Sequence, residues 1–435
     1  MKKFYVTLCA LVAFTVASNA QTLCNNGRYS SDVYTTIDST LGITYGAATP
    51  YTGSGSTTLT LDFYQPAADT AKVRPLIIWM HGGSFLGGSS TDADVQSLSH
   101  HFAKKGFICA SINYRLGMNN VDSSNAILAV IRAVQDLKAA IRFFYKDAKT
   151  TNTYMVDTNN IFIGGSSAGA LAADHAAYLT RDCQIVDAGY ITEPNLTTMG
   201  GLEGTSGNPG YSEKIKACIS LCGALGKYGW MEAGDVPLCS MHGTSDNVVT
   251  YSRGLVNPGI PLMYLDGDRM LYAQSKVVGV QDNFYTWLGA PHVPYAGTTA
   301  AEYKYMDTTV NFVRDFLIGQ LGCTNAALQP ADPVYGTANL YAFTACPVGI
   351  ASVNGSDMVI NAYPNPSNNK VTVELAEGQG KYSIQLSDIS GRVVSNGSTS
   401  QSEYVIEKTG LTAGVYFLKV TNTKGETTVK KIIFY

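Results

Sequence analysis

Short, unbroken apolar runs alternate with amphipathic stretches over most of the chain. The runs at 75–80, 107–114, 161–163, 215–221, 236–241 and 283–288 have the length and composition of strands buried on both faces. Between them, apolar residues recur every three or four positions. The clearest case is 125–145, where Ile127, Val130, Ile131, Val134, Leu137 and Ile141 form one stripe and Arg132, Asp136 and Lys138 lie off it. Further helices are predicted over 92–105, from 170 to about 179, and over 301–317. Residues 57–64 alternate with period two and end at Pro66, which predicts an antiparallel edge strand ahead of the parallel core. Strands alternating with helices over this span predict an α/β fold with a mostly parallel sheet covered by helices. Ligands of such sheets sit at the carboxyl ends of strands. Residues 184–212, rich in Gly, Thr and Asn, break the alternation and read either as a border of the binding pocket or as a solvated loop.

Both ends follow other patterns. Lys2 and Lys3 precede an apolar run from about Tyr5 to Val16, and Ser18-Asn19-Ala20 supplies small residues, so 1–20 reads as a secretory signal peptide. Residues 323–356 are linker-like. From 357 to 435 the period returns to two, in 371–375, 382–386, 414–420 and 427–434, which predicts a small C-terminal all-β sandwich. The expected division is therefore a signal peptide (1–20), the α/β domain (21–322), a linker (323–356) and the sandwich (357–435).

Composition changes this picture little. With 33 acidic and 30 basic residues there is no field suited to nucleic acid. No stable membrane span is expected in the mature chain. Of nine cysteines, Cys9 falls in the leader, and export permits disulfides among the rest. Cys218 and Cys222 lie four residues apart on a strand, about 13 Å, too far to bridge each other. The polar stretch between Cys323 and Cys346 suggests a bridge there. Cys109 and Cys239 read as buried thiols. No cysteine spacing suggests zinc.

Candidate chemistry centres on Gly164-Gly165-Ser166-Ser167-Ala168-Gly169, between the 161–163 strand and a run of helix formers. Glycines two residues either side of Ser167 suit a sharp strand-to-helix turn that lifts its hydroxyl clear of the sheet. The turn also aims the Ala168 amide, at the positive end of the helix, at whatever Ser167 attacks. Acyl transfer further requires a base, an acid that holds it, and oxyanion donors. Of six histidines, His292 lies in a loop just past the last strand and fits the order Ser, acid, His as base. Asp246, on a Gly-containing turn after a strand, fits as the acid. Asp266 and Asp268 are fallbacks that read as surface carboxylates. His81-Gly82-Gly83 follows a strand end, so the Gly82 and Gly83 amides join Ala168 as expected oxyanion donors, with His81 bracing the loop. Phe85, Tyr114 and Tyr295, near the proposed pocket, read either as contacts for an acyl or aromatic group or, in preference, as packing.

With these motifs in place, residues 74–321 resemble the α/β-hydrolase family, in its carboxylesterase and lipase branch with a histidine-glycine-glycine oxyanion loop. The resemblance implies a serine carboxylesterase working through Ser167, Asp246 and His292 with no metal or organic cofactor. Where that family often has a third loop glycine, this chain has Ser84. The tail motifs Asn361-Ala362-Tyr363-Pro364-Asn365-Pro366, Asp388-Ile389-Ser390-Gly391-Arg392, Leu411-Thr412-Ala413-Gly414-Val415-Tyr416 and Lys430-Lys431-Ile432-Ile433 resemble the C-terminal sorting domain of the Bacteroidetes type IX secretion system. That implies export to the cell surface or medium, with the secretion machinery as partner. The substrate class stays open between acylated polysaccharide, feruloyl, polyester and lipid esters. Two other readings remain: a serine peptidase of the prolyl oligopeptidase kind, and a non-catalytic adhesin retaining the fold.

Overall fold

The computed structural model describes residues 24–323, 338–343, 359–375, 380–389, 391–423 and 427–435. The segment read as a signal peptide and most of the stretch read as linker lie outside them. The chain divides into two compact units, Met1–Ala345 and Cys346–Tyr435.

In the first unit the elements run β1 (Ile37–Ala48), β2 (Thr57–Pro66), β3 (Arg74–Met80), α1 (Ala93–Lys104), β4 (Ile108–Ile112), α2 (Ser123–Lys149), β5 (Val156–Ser166), α3 (Ala168–Tyr178), α4 (Asp182–Asp187), α5 (Glu193–Thr198), β6 (Ala217–Leu221), β7 (Ala224–Leu225), β8 (Leu238–Gly243), β9 (Arg253–Leu255), β10 (Tyr264–Gly267), α6 (Asp268–Val278), β11 (Asp282–Trp287) and α7 (Ala300–Gln320). Eight strands form one sheet in the order β1-β2-β4-β3-β5-β6-β8-β11. β1 and β2 join antiparallel, as do β2 and β4; every later pair is parallel. The carboxyl ends of β3, β5, β6, β8 and β11 therefore share one edge.

β2 is not the edge strand that its alternation suggested. β1 covers it, in a segment whose mostly exposed positions and two register shifts hide the period-two signal. A helical layer packs on each face of the sheet. Ile131, Leu137 and Phe144 of α2 join Leu171 and Tyr178 of α3 on one side. Leu98 and Phe102 of α1 join Val313 and Phe316 of α7 on the other. Asp122 caps α2 by accepting the Asn125 amide at 2.8 Å.

Cys24 and Cys323 are joined by a disulfide across 299 residues, which corrects the Cys323–Cys346 pairing. Folding brings residues 24 and 323 to a Cα separation of 5.9 Å, a proximity that no local spacing encodes. Cys183 is also disulfide-bonded. Cys109, Cys218, Cys222 and Cys239 are buried free thiols. Because the Cys24–Cys323 crosslink closes a long loop, Cys323→Ser is expected to cost about 2–5 kcal/mol, read as a lower denaturant midpoint. Within the stretch read as linker, 338–343 belongs to the first unit and packs on the rest of it. Tyr341 Oη donates to Asp266 at 2.6 Å, and the Arg253 guanidinium lies 4.4 Å from the Tyr341 ring centroid.

The second unit contains two antiparallel sheets, Val359–Tyr363 with Lys370–Leu375 and Glu403–Glu407, and Val393–Thr399 with Tyr382–Asp388, Gly414–Thr421 and Thr427–Phe434. Alternate residues such as Val371, Val373, Leu386, Leu418, Val420 and Ile432 make its core. Among the described residues, no helix is long and apolar enough to cross a membrane.

Candidate active site

The turn after β5 holds Ser167 at φ 54°, ψ −120°, a conformation that non-glycine residues rarely adopt. Two glycines make it possible. A Cβ on Gly169 would lie 2.1 Å from the Met80 carbonyl oxygen, and one on Gly165 would lie 2.5 Å from the Gly169 carbonyl carbon. Strand β3, the turn and helix α3 therefore touch backbone to backbone. Gly169→Ala is expected to cost about 1–3 kcal/mol through overpacking and to lower activity along with the melting temperature.

β8 and β11 are parallel neighbours, so the loops that follow them leave side by side. The Thr244 amide donates to Trp287 O at 3.0 Å, and the Ser245 amide to Ala290 O at 3.0 Å. The approach is close enough that a Cβ on Gly243 would lie 2.4 Å from Ala290 O. This stitching places His292 over Ser167. Asp246 Oδ2 accepts from His292 Nδ1 at 2.6 Å, which leaves Nε2 to accept the Ser167 hydroxyl at 2.7 Å. Asp246 Oδ1 accepts the amides of Val248 at 2.9 Å and Val249 at 3.0 Å, so the carboxylate cannot swing. The three side chains singled out in the sequence thus form one hydrogen-bonded line.

The His81-Gly82-Gly83 loop lies beside the serine. A Cβ on Gly82 would be 3.4 Å from Ser167 Cβ. Gly83 has φ +99°, and a Cβ there would lie 2.2 Å from Gly87 O. Ser84 takes φ 57°, a left-handed conformation that glycine adopts without strain. His81 is buried and stacks on Tyr114, with ring centroids 4.4 Å apart, while Tyr114 Oη donates to His81 O at 2.8 Å. These contacts hold the loop against the Ser167 turn. Tyr295 Oη donates to Ser166 Oγ at 2.8 Å, so that serine is tied into the structure away from the triad.

Two compartments meet at Ser167. One is an apolar slot walled by Phe85, Ile127, Leu171, Ile185, Val249 and Leu265. The other is a polar shelf bordered by Gly83, Asn247, Asn257, Gly259 and His292. The 184–212 insertion borders the slot through Ile185 and Tyr190. His175 also lines the slot. Burial pulls its pKa down to about 4 against the hydrogen bond to Leu171 O, so the slot wall carries no charge at neutral pH.

The sequence reading missed the surroundings of the acid. Asp266 and Asp268, expected at the surface, are fully buried: Asp266 lies on β10 where it pairs with β7, and Asp268 opens α6 directly after it. Asp268 Oδ2 lies 2.8 Å from Nδ1 of His242, whose Nε2 lies 3.2 Å from Asp246 Oδ2. Burial alone would raise the Asp246 pKa. Hydrogen bonds from His242 and His292, and their charge, outweigh it and hold the carboxyl well below the usual carboxylate range. The His242-Gly243 pair at a strand end was the available signal; nothing local pointed to Asp268 as its partner.

Comparison with known proteins places relatives on both units. Residues 61–199 match the BD-FAE family, and residues 361–435 match the family described as Secretion system C-terminal sorting domain. Carboxylesterase 3B of Mus musculus is 33% identical over 115 residues, which is 26% of this chain and 19% of that protein. Gut esterase 1 of Caenorhabditis elegans is 29% identical over 154 residues, 33% of this chain and 26% of that protein. The chain thus spans only a minor part of the length of these relatives. Among solved structures, the apo form of Thermogutta terrifontis esterase 2 is similar over 63% of this chain and 94% of its own, at 21% identity and a TM-score of 0.46. The sorting domain directs the protein to the cell surface or beyond it.

Proposed function

We propose that this chain, which carries an esterase-like α/β-hydrolase domain and a secretion-sorting domain, is an exported serine carboxylesterase. The observation that carries the reading is the line from Ser167 Oγ to His292 Nε2 to Asp246, at 2.7 and 2.6 Å. Ser167 attacks the ester carbonyl while His292 takes its proton. The Ala168, Gly82 and Gly83 amides receive the developing oxyanion; one such donor typically contributes about 3 kcal/mol to transition-state stabilisation. His292 then protonates the leaving alcohol, and water releases the acid from the acyl-enzyme. In this reading residues 1–20 are a signal peptide, 21–322 the catalytic part, 323–356 a linker and 357–435 the portion read by the secretion machinery.

The two compartments suggest how the ester lies. The leaving oxygen must collect its proton from His292 Nε2, so the alcohol departs on the imidazole side. His292 borders the polar shelf and not the slot. The alcohol therefore occupies the shelf beside Asn247 and Asn257, and the acyl group enters the apolar slot. An ester joining an apolar acid to a polar alcohol fits this arrangement.

A fluorophosphonate probe tests the nucleophile: it should add covalently to the peptide containing Ser167 and block p-nitrophenyl acetate hydrolysis. Absence of an adduct, or an adduct on another residue, would falsify the assignment. Filling the slot tests the acyl side. Ile127→Trp should lower the ratio of octanoate to acetate kcat/KM at least about tenfold, since each lost methylene contact is worth 10-fold or more. An unchanged ratio would move the acyl group out of the slot.

A further inference from the structure

Hydrogen bonds do not stop at Asp246. They continue through His242 and Asp268 to Ser220 and Asp174, and Asp174 sits on α3, the helix that Ser167 begins. Ser220 Oγ lies 2.7 Å from Asp268 Oδ1 and 2.8 Å from Asp174 Oδ2. One hydroxyl hydrogen serves only one of these carboxyls. Asp174 is fully buried, and burial together with the Asp268 charge pushes its pKa well up, which favours Asp174 as the neutral partner of Ser220. Ser220 then donates to Asp268, which also accepts the Gly223 amide at 3.2 Å.

His242 stands between Asp246 and Asp268; burial raises the Asp268 pKa, and the hydrogen bond and charge of His242, with Ser220 and the Gly223 amide, work against it. Its Nε2 lies 2.8 Å from the Val249 carbonyl, an acceptor only, so this nitrogen carries a hydrogen. Its Nδ1 faces the Asp268 carboxylate and carries one too. Burial alone would favour the neutral ring; Asp246 and Asp268 overcome it and raise the pKa to about 10. The other titratable groups around this centre are His292, Cys222 at the end of β6, Asp282 at the start of β11, and Tyr251, whose ring meets the His242 ring edge-on at 5.9 Å. Burial pushes the Cys222 thiol and the Asp282 carboxyl up, which disfavours charge on both.

We infer that His242, held as a buried imidazolium by Asp268, is a positioning residue that fixes Asp246 as an anion and sets the acidic limit of the reaction. Asp246 is completely buried as a side chain, and a buried carboxylate facing only one imidazole tends to take up a proton. The His242 cation opposes that. It also lowers the negative potential that Asp246 exerts on the Ser167–His292 pair. Removing the cation makes the site more negative and moves the acidic limb of kcat/KM upward.

The inference rests on the proposed esterase reading, and wild-type hydrolysis separates the two. If the wild type hydrolyses no p-nitrophenyl ester, the esterase reading fails. If it does, the profiles judge His242. The kcat/KM of the full chain toward p-nitrophenyl acetate is measured from pH 4 to 9 for wild type, H242Q and D268N, each checked by near-UV circular dichroism. H242Q keeps an amide donor but no charge. It should lose tenfold or more in kcat at pH 7, keep its KM, and show an acidic limb about one pH unit higher. D268N removes the anion that charges the ring while leaving the ring in place, and gives the same upward displacement at smaller size. Should H242Q fail to fold, D268N alone decides. A parallel loss at every pH, or a downward displacement, overturns the proposal, because a merely structural role lowers activity without moving the limb.

Discussion

Replacing either Ser167 or His292 by alanine is expected to lower kcat toward a p-nitrophenyl ester by about a millionfold, with KM nearly unchanged. The two losses should not add. Ser167 donates to His292 Nε2 at 2.7 Å, and the hydroxyl is a poor nucleophile unless that nitrogen takes its proton in the same step. Once one partner is gone the other has nothing to act on, so the double variant should match the single ones. A residual rate about 10^3–10^4 above water should survive from the oxyanion donors and binding alone. Single-turnover kinetics with purified variants checks this. A His292→Ala enzyme within tenfold of wild type would mean that another base serves Ser167, and the mechanism would have to be rebuilt.

Asp246→Asn is the next largest effect, about 10^4 in kcat. The amide fills the same space and can keep the Val248 and Val249 contacts through its oxygen. Its nitrogen, however, is a donor and would face His292 Nδ1. The ring then carries its hydrogen on Nε2 and can no longer accept from Ser167. The same substitution leaves the His242 cation facing a neutral group, so the fold should also lose stability. Measuring kcat beside the thermal midpoint separates the two consequences. Loss of stability with activity intact would mean that the carboxylate only supports structure.

The architecture was legible where local chemistry is strict. Buried parallel strands announce themselves as apolar runs, and α2 carries a stripe that only a helix can present as one face. The glycines at 165 and 169 were readable because their roles are steric: at both positions a Cβ would collide with backbone within 3 Å. Other features were hidden. β1 looks like a polar loop because most of its residues face solvent. Asp266 and Asp268 look like surface carboxylates because their partners, among them Arg253, Tyr341, Ser220 and His242, come from distant segments. Cys24 gave no sign of Cys323.

The alternation of strands and helices, the strained turn that exposes Ser167, and the two units of different period can be read from the residues alone. Each is set by sterics and hydrophobic spacing within a few neighbouring residues. It takes the folded chain to make the loops after β8 and β11 neighbours, to bring His292 and Asp246 together over Ser167, and to stand a second histidine and aspartate behind them. Strand order fixes which loops adjoin. Burial then fixes which carboxylates keep their charge, and neither property is carried by any single stretch of chain.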